Sequence, residues 1–220
     1  MTGNEEVDLR AADGRVPGRR GLATRQRLLE HTRRLIETTA YRDLKVVDIA
    51  RESGTSPATF YQYFSDAETA VLALAEDLVT EGGTDLIAPL DGAIWHGEHS
   101  MAGCQAVADA FLEFWAENSA LMAVIDLAAL EGDKRFRECR NRLLGAFTRA
   151  AAEVIEQQRK AGFAVEDLDP DATAVVLVSM LAHVAGHQRG IIESGVDRDG
   201  LRHSMARLIY SGVIGRTPLD

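Results

Sequence analysis

The chain has 220 residues, 46% of them hydrophobic, and carries 34 acidic against 24 basic side chains for a net charge of −10. That length suits one or two domains with a sizeable core, and no uninterrupted apolar run of about 18 residues is present to cross a membrane. The first twenty residues are polar and lack the apolar stretch of a secretory signal, and Cys104 and Cys139 form no metal-type cluster, so a soluble cytoplasmic protein with free thiols is expected.

Residues 1–20 contain Gly, Pro, Arg and Asp without apolar periodicity and are expected to form a mobile basic arm. From about Leu22 the pattern turns helical. Leu28, Thr32, Leu35 and Ile36 share a face, with Leu29 alongside and arginines opposite. Tyr41 to Leu44 reads as a turn. Val46, Ile49 and Ala50 mark a short second helix that ends near Ser53-Gly54, where Gly suits a tight turn with positive φ. Ser56-Pro57 then opens a third helix, with Ser as N-cap and Pro at the first helical position. It is predicted to run about two turns, to Phe64. Ser65-Asp66-Ala67-Glu68 has the S-x-x-E form of a capping box. The helix it starts carries Val71, Leu72, Leu74, Ala75, Leu78 and Val79 and is expected to fade at Gly82-Gly83. Pro89 to Gly97 fits a loop. Further helices are predicted at about 100–118, 120–131, 133–161, 170–193 and 198–213, the fourth of these entered at Asp169-Pro170.

Charge divides the chain unevenly. Residues 1–64 hold 11 basic and 9 acidic side chains, whereas residues 65–220 hold 13 and 25. From Arg15 to Phe64 the count is 10 basic and 5 acidic. A basic head on an acidic body suggests two functions in one chain; a solvated, mixed-charge helix is the plainer alternative.

Two short helices joined by a Gly-containing turn, the second Ser-capped, suit a helix-turn-helix. The first helix braces the second, which can then lie in the major groove of DNA. Ile49, Ala50 and Phe60 would fill the angle between them and Phe64 would anchor the end. Thr59, Tyr61, Gln62 and Tyr63 would face outward.

The spacing of Leu28, Thr32, Ile36, Tyr41, Val46, Ile49-Ala50, Gly54, Ser56, Thr59, Tyr61, Tyr63-Phe64 and Glu68 closely resembles the tetracycline-repressor (TetR) family over roughly residues 22–79. The resemblance implies an all-α homodimeric transcriptional regulator. It implies an N-terminal helix-turn-helix domain (residues 21–66, after the arm) and a larger ligand-binding and dimerisation domain (67–220). It places Thr59 and Gln62 at base edges, with Pro57 and Ala58 against thymine methyls. Tyr61 and Tyr63 become phosphate donors or, alternatively, packed rings. Lys45, Thr55 and Ser56 complete the expected DNA-binding set. Four positions depart from the family pattern. Thr32 and Ala40 stand where Ala and Gly are usual, Lys45 where a Ser or Thr often caps, and Ala67, beside Asp66, where a phosphate-gripping Lys is usual.

In the acidic body Phe111, Phe114, Trp115, Leu121, Met122, Ile125, Phe147, Val176, Met180 and His183 either surround an apolar effector pocket or fill a closed core. Val175, Val178, Leu181, Ala182, Ala185, Gly186, Met205, Leu208, Ile209 and Gly212, on the last two helices, either build a dimer interface or face inward. The leading expectation is a ligand-responsive repressor that leaves a pseudo-palindromic DNA operator when a hydrophobic or amphipathic effector binds, with no catalytic role, cofactor or metal. One alternative is a helical metal-dependent enzyme using His183 and His187, which are spaced i, i+4. Another, prompted by Asp66 and Ala67, is a sensor whose DNA-reading head has decayed.

Overall fold

The computed structural model describes residues 18–91, 93–95, 99–163 and 167–214, with backbone alone at Ile214. The expected arm, apart from residues 18–20, lies outside the described residues, as does the chain after Ile214. Among the described residues the fold is all-α, without strands. The helices are α1 (Arg19–Thr38), a one-turn 3-10 helix (Tyr41–Asp43), α2 (Val46–Glu52), α3 (Pro57–Phe60), α4 (Ala67–Asp91), α5 (Ser100–Glu117), α6 (Ser119–Leu130), α7 (Lys134–Lys160), α8 (Pro170–Glu193) and α9 (Arg198–Ile214).

The chain forms two compact units. The first joins the N-terminal segment through Val79 to Ala123–Cys139, the corner where α6 passes into α7. Its core begins on α1, where Arg25, Leu28, Leu29, Thr32 and Ile36 are buried and Leu35 is half-buried. Thr32 tolerates this position because its hydroxyl donates to the Leu28 carbonyl at 2.8 Å, so no buried polar atom is left unpaired. Ile49, Ala50 and Phe60 are fully buried, and Phe64 is 3% exposed. The corner residues join this unit through side chains. Tyr41 meets Phe136 edge to face, with centroids 6.3 Å apart. Arg42 pairs with Glu131, and Arg135 pairs with both Glu68 and Asp133.

The second unit comprises Thr80–Met122 and the chain from Arg140 onward. Here α5 packs on α8 and α9, and those two pack on each other. Phe111 stacks on Trp115 at 5.5 Å and meets Phe147 edge to face at 4.8 Å. A side chain at Gly212 of α9 would place its Cβ 2.7 Å from a Leu177 methyl of α8, so any larger residue there would have to displace the Leu177 side chain. By length and composition α8 could cross a membrane. In the fold, one of its faces (Ala174, Leu177, Val178, Leu181, Ala182, Ala185) is buried, and Val175, Val176, Ser179, His183, Gly186 and His187 are exposed on the other.

Two local expectations change. The capping box at Ser65 and Glu68 is not formed. Helix α4 starts at Ala67, and Asp66 takes the capping role by accepting from the Thr69 amide at 2.7 Å. Glu68 turns instead to Arg135. The helix also does not fade at Gly82-Gly83 but continues through Pro89 to Asp91. Two glycines cost a helix about 1 kcal/mol each. Burial of Leu78, Leu86 and Leu90 along the same stripe outweighs that cost.

Candidate nucleic-acid interface

Helices α2 and α3 pack together around buried Ile49, Ala50 and Phe60. The turn between them is closed by its own hydrogen bonds. Ser53 Oγ donates to the Ile49 carbonyl at 2.7 Å, and the Thr55 amide donates to the Ala50 carbonyl at 2.9 Å. Gly54 has φ 64°, the left-handed conformation that reverses the chain at low cost only for glycine. Ser56 caps α3, accepting from the Thr59 amide at 3.1 Å, and Pro57 occupies the first turn. The regular helix ends at Phe60. The Gln62, Tyr63 and Phe64 amides still donate to the Thr59 and Phe60 carbonyls, so the helical path tightens but reaches Phe64.

This framework sorts the predicted DNA-binding residues. Lys45, Ser56, Pro57, Ala58, Tyr61 and Gln62 are exposed; Thr55, Thr59 and Tyr63 are half-buried. Tyr61 is 52% exposed, while its ring packs edge-on against Phe60 at 5.9 Å. The aromatic body is therefore anchored and the hydroxyl edge is available. Thr59 Oγ1 lies 3.0 Å from Ser56 Oγ, so its hydroxyl is already oriented by the cap. Lys45 stands at the N-cap of α2 without forming a side-chain cap bond, which leaves its ammonium for a partner.

Nearby charges are partly committed. Arg51 pairs with Asp48 at 2.8 Å, and Arg42 pairs with Glu131. Asp66 is not simply a repulsive charge beside the interface. Burial works against its charged form, but the Thr69 amide and hydroxyl and the Ser65 hydroxyl outweigh burial and hold the carboxyl below its ordinary range. Hydrogen bonds from Arg135, opposed by partial burial, hold Asp133 down to about 2. Burial, followed by Glu68 and Asp133, pushes the Tyr41 phenol up to about 12.

The predicted effector residues divide. Phe111, Phe114, Trp115, Leu121, Met122, Ile125 and Phe147 are buried, and Met180 is half-buried. Val176 is 66% exposed and His183 is exposed, on the outer face of α8. The structure therefore does not bring these two together with the buried aromatic cluster. An open cleft of about 420 Å³ lies elsewhere on the second unit, lined by the charged side chains of Arg149, Glu153, Glu156, Arg159 and Asp171 together with Ala152 and Pro170. The interface candidates divide in the same way. Val178, Leu181, Ala182, Ala185, Met205 and Ile209 are buried within the chain, Gly212 is half-buried, and Val175, Gly186 and Leu208 are exposed. His183 and His187 stack at 4.3 Å, and His187 Nδ1 donates to the His183 carbonyl at 2.8 Å. Among the described residues no group of three or more His, Cys, Asp or Glu side chains is placed to hold a metal.

The fold and this surface define a helix-turn-helix DNA-binding protein with a second helical unit. Residues 28–84 match the family described as bacterial regulatory proteins, tetR family, and residues 86–220 match the tetracyclin repressor-like C-terminal domain. The chain belongs to the TetR family and is a ligand-responsive, DNA-binding transcriptional regulator. It is 26% identical over 171 residues to the HTH-type transcriptional regulator EthR of Mycolicibacterium smegmatis, covering 74% of this chain and 76% of that one. It is similar in fold to FadR of Bacillus subtilis, solved in complex with stearoyl-CoA (TM-score 0.66, 16% identity, 86% and 98% of the two chains). It also resembles GusR of Salmonella enterica (TM-score 0.64, 16% identity, 89% and 97%).

Sequence reasoning missed two features of the first unit. One is the corner at 130–136, whose Glu131 and Arg135 engage Arg42 and Glu68, far away in the chain; nothing in local spacing marks those pairings. The other is Arg25, whose signal was present: it continues the inward stripe of Leu28, Leu29, Thr32 and Ile36.

Proposed function

We propose that the ligand-free protein is a dimeric repressor that sits on a pseudo-palindromic operator. Each α3 enters the major groove, the two lying about one helical turn, roughly 34–36 Å, apart. The observation that carries this reading is the outward set on α3 and its extension: Pro57, Ala58, Tyr61 and Gln62 are exposed on a helix anchored by buried Phe60 and Phe64. Gln62 and Thr59 read base edges, Pro57 and Ala58 meet thymine methyls, and Tyr61, Tyr63, Thr55, Ser56 and Lys45 hold the backbone. The net charge of −10 does not prevent binding. At physiological salt the Debye length is about 8 Å, which screens acidic groups away from the interface.

The dimer forms through α8 and α9. Their exposed apolar residues, Val175, Val176 and Leu208, support that surface. The effector is hydrophobic or amphipathic and binds among the aromatic side chains of α5 and α7; the stearoyl-CoA held by the similar FadR supports an acyl compound. The effector acts by preferring a state in which the two α3 helices no longer match the groove spacing. Residues 123–139 share a compact unit with the DNA-reading head, which supports this corner as the route of coupling. The protein works where the DNA is, in the cytoplasm, and performs no catalysis.

A gel-shift titration with fragments of the neighbouring promoter tests the reading. A sequence-preferring complex that dissociates on addition of long-chain acyl-CoA is expected. The absence of any sequence-preferring complex at moderate salt would refute operator binding, and a complex indifferent to acyl-CoA would refute only the effector class.

A further inference from the structure

The inward face of α1 begins with a cation. Arg25 precedes Leu28, Leu29, Thr32 and Ile36 on that face and is itself only 9% exposed. Its guanidinium carbon lies 5.4 Å from the centroid of the Phe64 ring. Phe64 in turn packs on Phe60 at 5.5 Å. The cation is thus seated at the far end of the DNA-reading segment.

A ring attracts the face of a guanidinium through its quadrupole. It does not satisfy the five N–H donors, which point outward in the guanidinium plane. Arg42, Arg51 and Arg135 meet that need with carboxylates. Among the described residues Arg25 has no such partner. Asp66, two positions after Phe64, gives its oxygens to Thr69 and Ser65. None of the Arg25 donors is sealed from water without a partner. The side chain is therefore mostly buried against Phe64, while its donor nitrogens still reach water.

We propose that the open edge of Arg25 takes a phosphate of the DNA backbone, with Phe64 holding the guanidinium plane in the orientation needed. This rests on α3 being the DNA-facing helix. A planar fork matches two phosphate oxygens better than an ammonium does. The contact supplies a positive charge at the end of the recognition segment, where Ala67 provides none.

The test is the salt dependence of binding to a short random-sequence duplex, measured for the full-length wild type, Arg25→Gln and Arg25→Lys, with thermal melting recorded in parallel. Arg25→Gln should lower the slope of log K against log salt by about 0.9, the loss of one phosphate contact, with roughly tenfold weaker binding at low salt. Arg25→Lys should keep the slope but bind several-fold more weakly, because the charge remains and the fork is lost. A wild-type slope in folded Arg25→Gln overturns the proposal. So does wild-type affinity in Arg25→Lys, which remains informative if the Gln variant fails to fold. A wild type that binds no duplex at low salt would overturn the DNA reading itself.

Discussion

The aromatic side chains of the two units are used in opposite ways. In the second unit Phe111, Trp115 and Phe147 are buried and pack on one another. In the first, Phe60 is fully buried while Tyr61, its neighbour, is 52% exposed. A folding requirement explains every buried ring, since each removes a large apolar area from water. It does not explain an exposed tyrosine clamped against a buried phenylalanine. The exposed ring is what the proposed contact with the DNA backbone requires.

Substitutions can sharpen this contrast. The largest expected effect is from Phe60→Ala, which empties the space between α2 and α3. It should cost about 3–5 kcal/mol in the head and abolish DNA binding, seen as an early thermal transition while the Trp signal of the second unit persists. Gln62→Ala should leave stability within about 0.5 kcal/mol yet remove about 1–3 kcal/mol of discrimination at one base pair. Binding to an operator library measures it, and an unchanged base preference would remove Gln62 from the reading surface. Ser56→Ala removes the α3 cap and should cost about 1 kcal/mol, with a matching fall in operator affinity as the reading end of the helix frays. Smallest is Asp133→Asn. Asp133 accepts from the Arg135 amide at 2.8 Å at the start of α7, and Asn can still accept there, so what is lost is the screened charge interaction with Arg135, about 0.5 kcal/mol. The native carboxyl titrates at about 2, below its ordinary 3.8. Its contribution is therefore complete above about pH 4 and disappears as pH falls through about 2. Chemical denaturation across that range should show the variant and wild type converging at the acid end.

Much of the head was legible because its signals are local. Ser56, Pro57 and Gly54 act through their own backbone within a few residues, so their roles follow from residue type and spacing. The inward stripe of α1 follows from helical periodicity, although Arg25 passed as surface charge because burial of a cation is decided by what lies opposite it. The start of α4 was misplaced by one residue, because Ser65 and Asp66 are both competent caps and only the surrounding hydrogen bonds select between them. The helix end at Gly82-Gly83 was misread for a related reason. Intrinsic propensity favours stopping there, and burial of Leu86 and Leu90 overrides it.

The sequence by itself determined an all-α chain, a Ser-capped reading helix after a glycine turn, and the residues that helix turns outward. These depend on interactions spanning no more than a few residues. Only the tertiary structure decided which cations are occupied. It joined Arg42 to Glu131 and Arg135 to Glu68 across 89 and 67 positions of chain, and it set Arg25 over Phe64 with its donor edge open. It likewise decided which side of α8 is spent inside the fold and which stays exposed. Charge pairing and burial depend on distance in space, and a sequence records separation only along the chain.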